Sequence, residues 1–419
     1  MKKHLSYNDL FYYISITNIF IVIFFMPYVV NITHSSSTLI MLIIAGIIFL
    51  LLSFIKSPKI KKGSTKYLLL SISCLIPCFY KNAYLIDGHY YKALLYILVI
   101  IYFMILYLKR IDERKIMYII NFIILFAILT SLITWLGFAF PNVYISKIIP
   151  LLPVESRLSV LNTFPNINPG LTSHYSRNAF FITIGIMGLL LKYKNTKNKK
   201  YFITILFLIV TLFLVGKRGH LVFLILSFML SYFIYYKIKL KTILKVCSLI
   251  VLFILFSFLV VKIIPSTNKV FERLFDYEQL DYSNGRQEMY SSIRTMYQNN
   301  NKNPIGWGQY SKNTNYYHPG VHNDYIQLYY ETGIIGFLMI IGANIIFLIS
   351  SIKAARKSDN YLVFIVLMYD IFYMLYSLTG IPHYDFETYA VYFMLNCSLF
   401  CLIENLKQNN EVIQRGGTR

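Results

Sequence analysis

Apolar runs long enough to cross a bilayer recur along the whole chain, and short polar or basic breaks separate them. A helix needs roughly 20 residues to span the hydrocarbon core, and many of these runs approach that length. With 57% hydrophobic residues and a mean hydropathy of +0.57, the chain has more apolar surface than one soluble core can bury. The sequence therefore predicts an all-α, polytopic integral membrane protein with a single membrane domain over residues 1–419.

Hydropathy predicts about twelve transmembrane helices. The first run, 11–31, is long for a signal-peptide core, so we interpret it as a retained first span. The predicted spans are 11–31, 38–55, 67–80, 93–108, 116–139, 178–191, 202–216, 221–236, 246–264, 333–352, 361–380 and 387–403.

The positive charges follow these spans rather than forming a patch for nucleic acid. The formal net charge is +22, and alternate connections between spans, together with the two termini, hold 26 of the 40 lysines and arginines. The positive-inside rule assigns those connections to the cytoplasm, where they face anionic lipid. We therefore expect both termini to be cytoplasmic, membrane lipid to be a partner, and nucleic acid not to be one.

Two predicted outer loops are long enough to carry function, 140–177 and 265–332. In the second, tyrosines and Trp307 alternate with polar residues, a mixture suited to stacking on sugar rings while binding their hydroxyls. An aromatic belt at the membrane interface accounts for part of the same pattern. The second loop is therefore the predicted location of most of the chemistry.

The end of this loop predicts a helix that begins just after His322. Asn323 and Asp324 are good N-cap residues, and Gln327 follows Asp324 at capping-box spacing. The helix is expected to run through Gly333 into the next span, which leaves His322 at the outer lip of that span. The positive helix end favours a neutral imidazole, which can act as a general base. The alternative is that His322 only satisfies a hydrogen bond in a loop.

Arg218, in the segment LFLVGKRGHLVFL, is the most informative charge. The apolar runs on either side are too short to cross a bilayer core of about 30 Å, so the 217–220 turn is expected below the outer surface. A charge at that depth needs a partner, which is either an acid or an anionic ligand. The acids predicted nearby are Asp87, Glu331, Asp385, Glu387 and those of the long loop 265–332.

Arg286 follows the turn Ser283-Asn284-Gly285 and opens a helical pattern. A helix N-terminus adds backbone donors beside the guanidinium, an arrangement suited to phosphate. A solvated surface charge is the alternative.

Four segments in this order resemble the O-antigen ligase and polymerase family of bacterial envelopes. They are KRG at 217–219, NGRQEMY at 284–290, NPIGWGQY at 303–310 and HNDYIQLYYETGIIGFL at 322–338. Lys217 and Asn284 stand where many relatives have serine, and both departures leave the adjoining arginines in place.

The resemblance implies a metal-independent glycosyltransferase without a cofactor, with an all-helical fold like that of the C-type glycosyltransferases. Its donor would be an undecaprenyl diphosphate-linked glycan at the outer face of the bacterial inner membrane. By position, Arg218 and Arg286 would hold the donor diphosphate and His322 would be the base. The planar guanidinium groups of arginines can stabilise a diphosphate leaving group without a metal. A base makes a sugar hydroxyl a better nucleophile by taking its proton.

Secondary candidates for substrate binding are Arg177, Lys217, Asn323 and Tyr325. Arg177 stands at the mouth of a predicted span, where phosphate or a lipid headgroup could bind it. The cysteine pairs at i, i+4 lack a further His or acid nearby, so we expect apolar packing there and no metal site.

Two reactions share the implied chemistry. A polymerase extends a lipid-linked repeat unit, assisted in some systems by a chain-length regulator protein, whereas a ligase transfers the glycan to lipid A-core. We favour the polymerase, and a flippase for the same lipid-linked glycan is the hypothesis from another class. The charged set concentrates at the outer side and no half-repeat is evident, which argues against transport.

We expect Arg218→Lys to reduce the rate of glycan transfer at least about tenfold. This factor corresponds to the free energy of one lost hydrogen bond to a charged group. The ammonium keeps the charge but loses the planar fork that matches phosphate oxygens. The measurement is glycan length in cells that hold the variant at wild-type protein level, and unchanged length would show that the fork is dispensable.

Overall fold

The described part of the chain is entirely helical in its regular structure. The structure is a computed structural model, and the predicted spans 67–80, 93–108 and 246–264 lie outside the residues it describes. Those residues are 7–33, 36–54, 81, 112–152, 154–164, 168–236, 283–313, 320–357 and 360–416.

Most of the helices coincide with predicted spans, and three lie in the predicted outer loops. In chain order they are α1 (Tyr7–Thr33), α2 (Ser36–Phe54), α3 (Glu113–Ala139), α4 (Val154–Thr163), α5 (Tyr175–Thr196), α6 (Lys199–Leu214), α7 (Arg218–Tyr236), α8 (Ser283–Asn299), α9 (Gln309–Asn313), α10 (Asp324–Ala355), α11 (Tyr361–Tyr376) and α12 (Phe386–Gly416).

The prediction of an all-helical polytopic membrane protein is confirmed. By length and composition, α3, α7, α10 and the first part of α12 can each cross a membrane. Shorter apolar stretches lie in α1, α2 and α11. The total of about twelve spans stays a prediction.

The core of the bundle is built around α5, α11 and α12, whose described side chains are buried on nearly every face. Helix α5 packs against α3 and α6, and α11 packs against α7 and α10. Outer helices keep apolar residues such as Leu125, Leu132 and Ile335 exposed. A helix that is apolar all round belongs inside, and the exposed apolar ridges suit contact with lipid.

The prediction that α10 runs unbroken through Gly333 is wrong. Gly333 has φ +71° and ψ 179°, which is not helical, and the chain reverses there. One imidazole, that of His383, contacts both Asp324 and Asn344, which a straight helix would place about 30 Å apart. The piece before Gly333 therefore folds back along the piece after it.

The reversal sets the depth of His322. The second piece of α10, residues 334–355, is about 33 Å long and α11 is about 24 Å long. Few residues separate the two helices, so α11 ends well short of the level of Gly333. Ile334, Ile335 and Leu338 are exposed, so the apolar surface of this piece extends as far as Gly333. His322 therefore lies below the level of Gly333, beside the end of α11, and not at the end of the span as expected.

Substitution Gly333→Ala should destabilise the protein by about 1–3 kcal/mol, because alanine strains this φ and its Cβ would lie 2.7 Å from the Pro304 ring. Gly342→Ala is the matched control in the same helix. Nothing lies within 4 Å of a Cβ there, so alanine should stabilise by up to about 1 kcal/mol. Thermal unfolding in detergent measures both, and equal midpoints would contradict the reversal.

Candidate active site

The N-terminal end of α10 is built differently from the predicted capping box. Asn323 is the N-cap, and its side-chain oxygen accepts a hydrogen bond from the backbone N–H of Ile326 at 3.1 Å. Gln327 does not complete a box with Asp324. Its side-chain oxygen instead accepts from the backbone N–H of Val321 at 3.0 Å. These two bonds fix the backbone on both sides of His322.

His322 is half-buried and has φ +56°, a left-handed conformation that is uncommon outside glycine. Such strain persists where the surroundings over-determine it. The backbone N–H of Asp324 donates to Ser377 O at 2.9 Å, and the Tyr325 hydroxyl donates to Met374 O at 2.8 Å. Two of the secondary candidates, Asn323 and Tyr325, therefore hold the segment that presents His322.

Arg218 is half-buried and is the first residue of α7. Its neighbour His220 is buried, with its ring centroid 4.4 Å from that of Tyr376. A Cβ on Gly219 would lie 3.4 Å from Thr379 Oγ1. The start of α7 therefore contacts the 376–379 segment at the end of α11, which also receives the start of α10. Arg218 and His322 lie at the same end of the bundle.

Arg286 is exposed in the first turn of α8. The buried face of this helix contributes Met289 and Ile293 to an apolar cluster that includes Val321. Seven residues make almost two turns, so Arg286 lies on the same face as Ile293. Since Val321 precedes His322, the face that begins with Arg286 covers the segment carrying the predicted base.

Three of the acids expected near Arg218, namely Asp385, Glu387 and Glu331, bind other groups of the protein. Arg177 binds Asp385 at 2.8 Å and Glu387 at 3.0 Å, which ties the start of α5 to the start of α12. Arg177 is thus held by protein carboxylates where phosphate or a headgroup was expected. Lys217 lies over the Tyr175 ring, with its Nζ 4.9 Å from the centroid. Asp87 lies outside the described residues.

Glu331 organises the NPIGWGQY segment, a role that the sequence analysis missed. Its carboxylate accepts hydrogen bonds from the backbone N–H groups of Gly308 at 2.6 Å and Tyr310 at 2.9 Å. Its backbone oxygen accepts from Gly306 N at 3.0 Å. One sequence signal could have predicted this role of Glu331. It is an acid just before an apolar run, and it follows a segment with two closely spaced glycines, Gly306 and Gly308. The segments 303–310 and 322–338, which both carry the resemblance, are therefore joined in one folded unit.

The prediction that Trp307 stacks on sugar rings is wrong. Its side chain is 1% exposed and its ring stacks on Tyr384, with centroids 4.3 Å apart. Tyr310 is also buried. Among the described residues of this loop, Tyr297, Tyr329 and Tyr330 are at least partly accessible, and their rings contact one another.

Two features define the class of protein: an apolar helical bundle with candidate membrane spans, and polar residues gathered at one end of that bundle. Within the described ranges, no three His, Cys, Asp or Glu side chains are grouped so that they could hold a metal ion. This is a polytopic membrane protein whose candidate site is made of arginines, histidines and acids.

The family comparison agrees with the resemblance. Residues 203–341 match a family model described as O-antigen ligase, and this stretch contains Arg218, Arg286 and His322. No curated protein matches the chain significantly. The family match supports an O-antigen ligase or polymerase type of function, and members of that family are glycosyltransferase-like enzymes.

We expect Glu331→Ala to loosen the 303–310 segment, because two buried N–H groups lose their acceptor. The exchange rates of the Gly308 and Tyr310 amide protons should rise at least about 30-fold, the equivalent of about 2 kcal/mol. Hydrogen exchange followed by mass spectrometry measures this. Glu288→Gln, an exposed acid on α8, is the control and should leave both amides protected.

Proposed function

We propose that the protein is a polysaccharide polymerase that transfers a growing glycan from undecaprenyl diphosphate onto a lipid-linked repeat unit. The observation that carries this proposal is the family match over 203–341, which contains both arginines and His322. The position of Arg218 and His322 at the same end of an apolar helical bundle supports it, because a lipid-borne diphosphate reaches such an end from the bilayer.

The two arginines provide the diphosphate site in this proposal. Arg218 and Arg286 each lie in the first turn of a helix, so main-chain N–H groups and the helix dipole add to the positive potential. Two guanidinium forks can bind non-bridging oxygens of both phosphates. Lys217, next to Arg218, adds charge at the same end of α7.

The reaction is then an inverting displacement. His322 takes the proton of the acceptor hydroxyl, and that oxygen attacks the anomeric carbon of the donor. The bond from this carbon to the diphosphate oxygen breaks, and the leaving diphosphate keeps the electron pair. The arginines stabilise the charge that develops on the diphosphate, and such preorganised electrostatic stabilisation is usually the main source of rate enhancement in an enzyme.

The accessible tyrosines favour a glycan acceptor close to this site. Tyr297, Tyr329 and Tyr330 form a contiguous aromatic surface on α8 and on the first piece of α10. Aromatic faces with polar tips suit sugar rings. We infer that these tyrosines, and not Trp307, bind the glycan.

Ligation to lipid A-core is the second candidate, because the matching family model is described as O-antigen ligase. The test is deletion in a host that makes lipid A-core. A lost polymerase leaves single repeat units on lipid A-core, whereas a lost ligase leaves lipid-linked polymer that never reaches it. Purified protein that lengthens lipid-linked repeat units without an ion gradient or nucleotide would exclude a transporter.

Substitutions His322→Ala and Arg286→Ala should each abolish chain growth at wild-type protein level, because they remove the base and half of the diphosphate clamp. The measurement is chain length in vivo and transfer rate in detergent. Arg294→Ala is the matched control, an exposed arginine on the same helix but off the face that covers His322. Normal glycan in the first two variants would refute the assigned roles.

A further inference from the structure

The two pieces of α10 are joined at their open end by three buried polar side chains. His383 Nδ1 lies 2.6 Å from Asp324 Oδ2, and His383 Nε2 lies 2.9 Å from the side-chain nitrogen of Asn344. The backbone N–H of His383 donates to the same Asp324 oxygen at 3.1 Å. Asp324 is 0% exposed and His383 is 1% exposed.

These contacts define the state of the imidazole. The amide nitrogen of Asn344 donates, so Nε2 of His383 accepts and the ring proton lies on Nδ1. That proton is donated to the carboxylate of Asp324. A carboxylate that orients an imidazole through Nδ1–H is a common arrangement. Here the imidazole is in turn wedged between two helix pieces.

The bridge lies next to the proposed base. Asp324 is two residues from His322, and Ser377 Oγ donates to the same carboxylate oxygen at 3.3 Å. Ser377 belongs to the segment that contacts the start of α7, the helix that begins with Arg218. The Asp324 carboxylate therefore links the segment that carries His322 to Ser377. The short segment that begins at Tyr376 in turn contacts the start of α7, where Arg218 lies.

We propose that Asp324, His383 and Asn344 form a positioning bridge that sets the depth and direction of His322 relative to the diphosphate site. A buried carboxylate is unfavourable unless it is hydrogen-bonded. The hydrogen bonds of the Asp324 carboxylate hold the first piece of α10 against the second. His383 is a positioning residue and does not touch the reacting atoms. The inference rests on the proposed role of His322.

The test is His383→Leu against His383→Asn in the purified protein, with kcat and KM for the lipid-linked donor. Leucine fills the space without a donor, so kcat should fall about 10²-fold, the effect of a displacement of about 1 Å, while KM stays within about twofold. The asparagine amide can still donate to Asp324 and should restore most of kcat. If the leucine variant unfolds during extraction, Asp324→Asn replaces it in the test. Asparagine keeps the shape of Asp324, and kcat should fall by the same factor.

Ser351→Ala is the matched control. Ser351, in the second piece of α10, donates to the buried carboxylate of Asp370 in α11 at 2.6 Å, away from His322, so kcat should not change. Wild-type kcat in His383→Leu, or a rise in KM alone, would overturn the bridge. Equal losses in both His383 variants would also overturn it, because His383 would then be a reacting group. Full activity in His322→Ala would refute the base itself, a separate result.

Discussion

The reversal of α10 at Gly333 is the constraint on which the candidate site depends. A continuous helix from Asp324 would carry His322 away from the bundle. The left-handed backbone at Gly333 returns the first piece along the second, and the Pro304 ring occupies the place of a Cβ. His322 then lies near the end of α11, which the start of α7 at Arg218 also contacts, so residues far apart in sequence lie at the same end of the bundle.

Buried acids hold this arrangement together. Glu331 caps the glycine-containing segment, Asp324 binds His383, and Asp385 with Glu387 binds Arg177. Removing any one partner would leave an uncompensated buried charge or donor. These four acids therefore fix the segments that carry the candidate site residues.

Several motif residues that pointed to chemistry make contacts within the protein. Trp307 packs on Tyr384, and Asn323 and Tyr325 hydrogen-bond to the backbone around His322. The N-terminus of α10 was predictable within one residue because capping chemistry is local. The hydrogen-bond partners of Glu331 and His383 were not predictable, because they lie far along the chain and no periodicity or spacing encodes them.

Apolar run length, the positions of Lys and Arg, and local cap and turn residues were enough to give a helical membrane protein and most of its helix boundaries. They did so because bilayer thickness and helix geometry act on each segment alone. The depth of His322, the pairing of Arg177 and the burial of Trp307 required the packed structure. Each depends on where a second segment lies, and one glycine conformation that the sequence permits but does not dictate controls that placement.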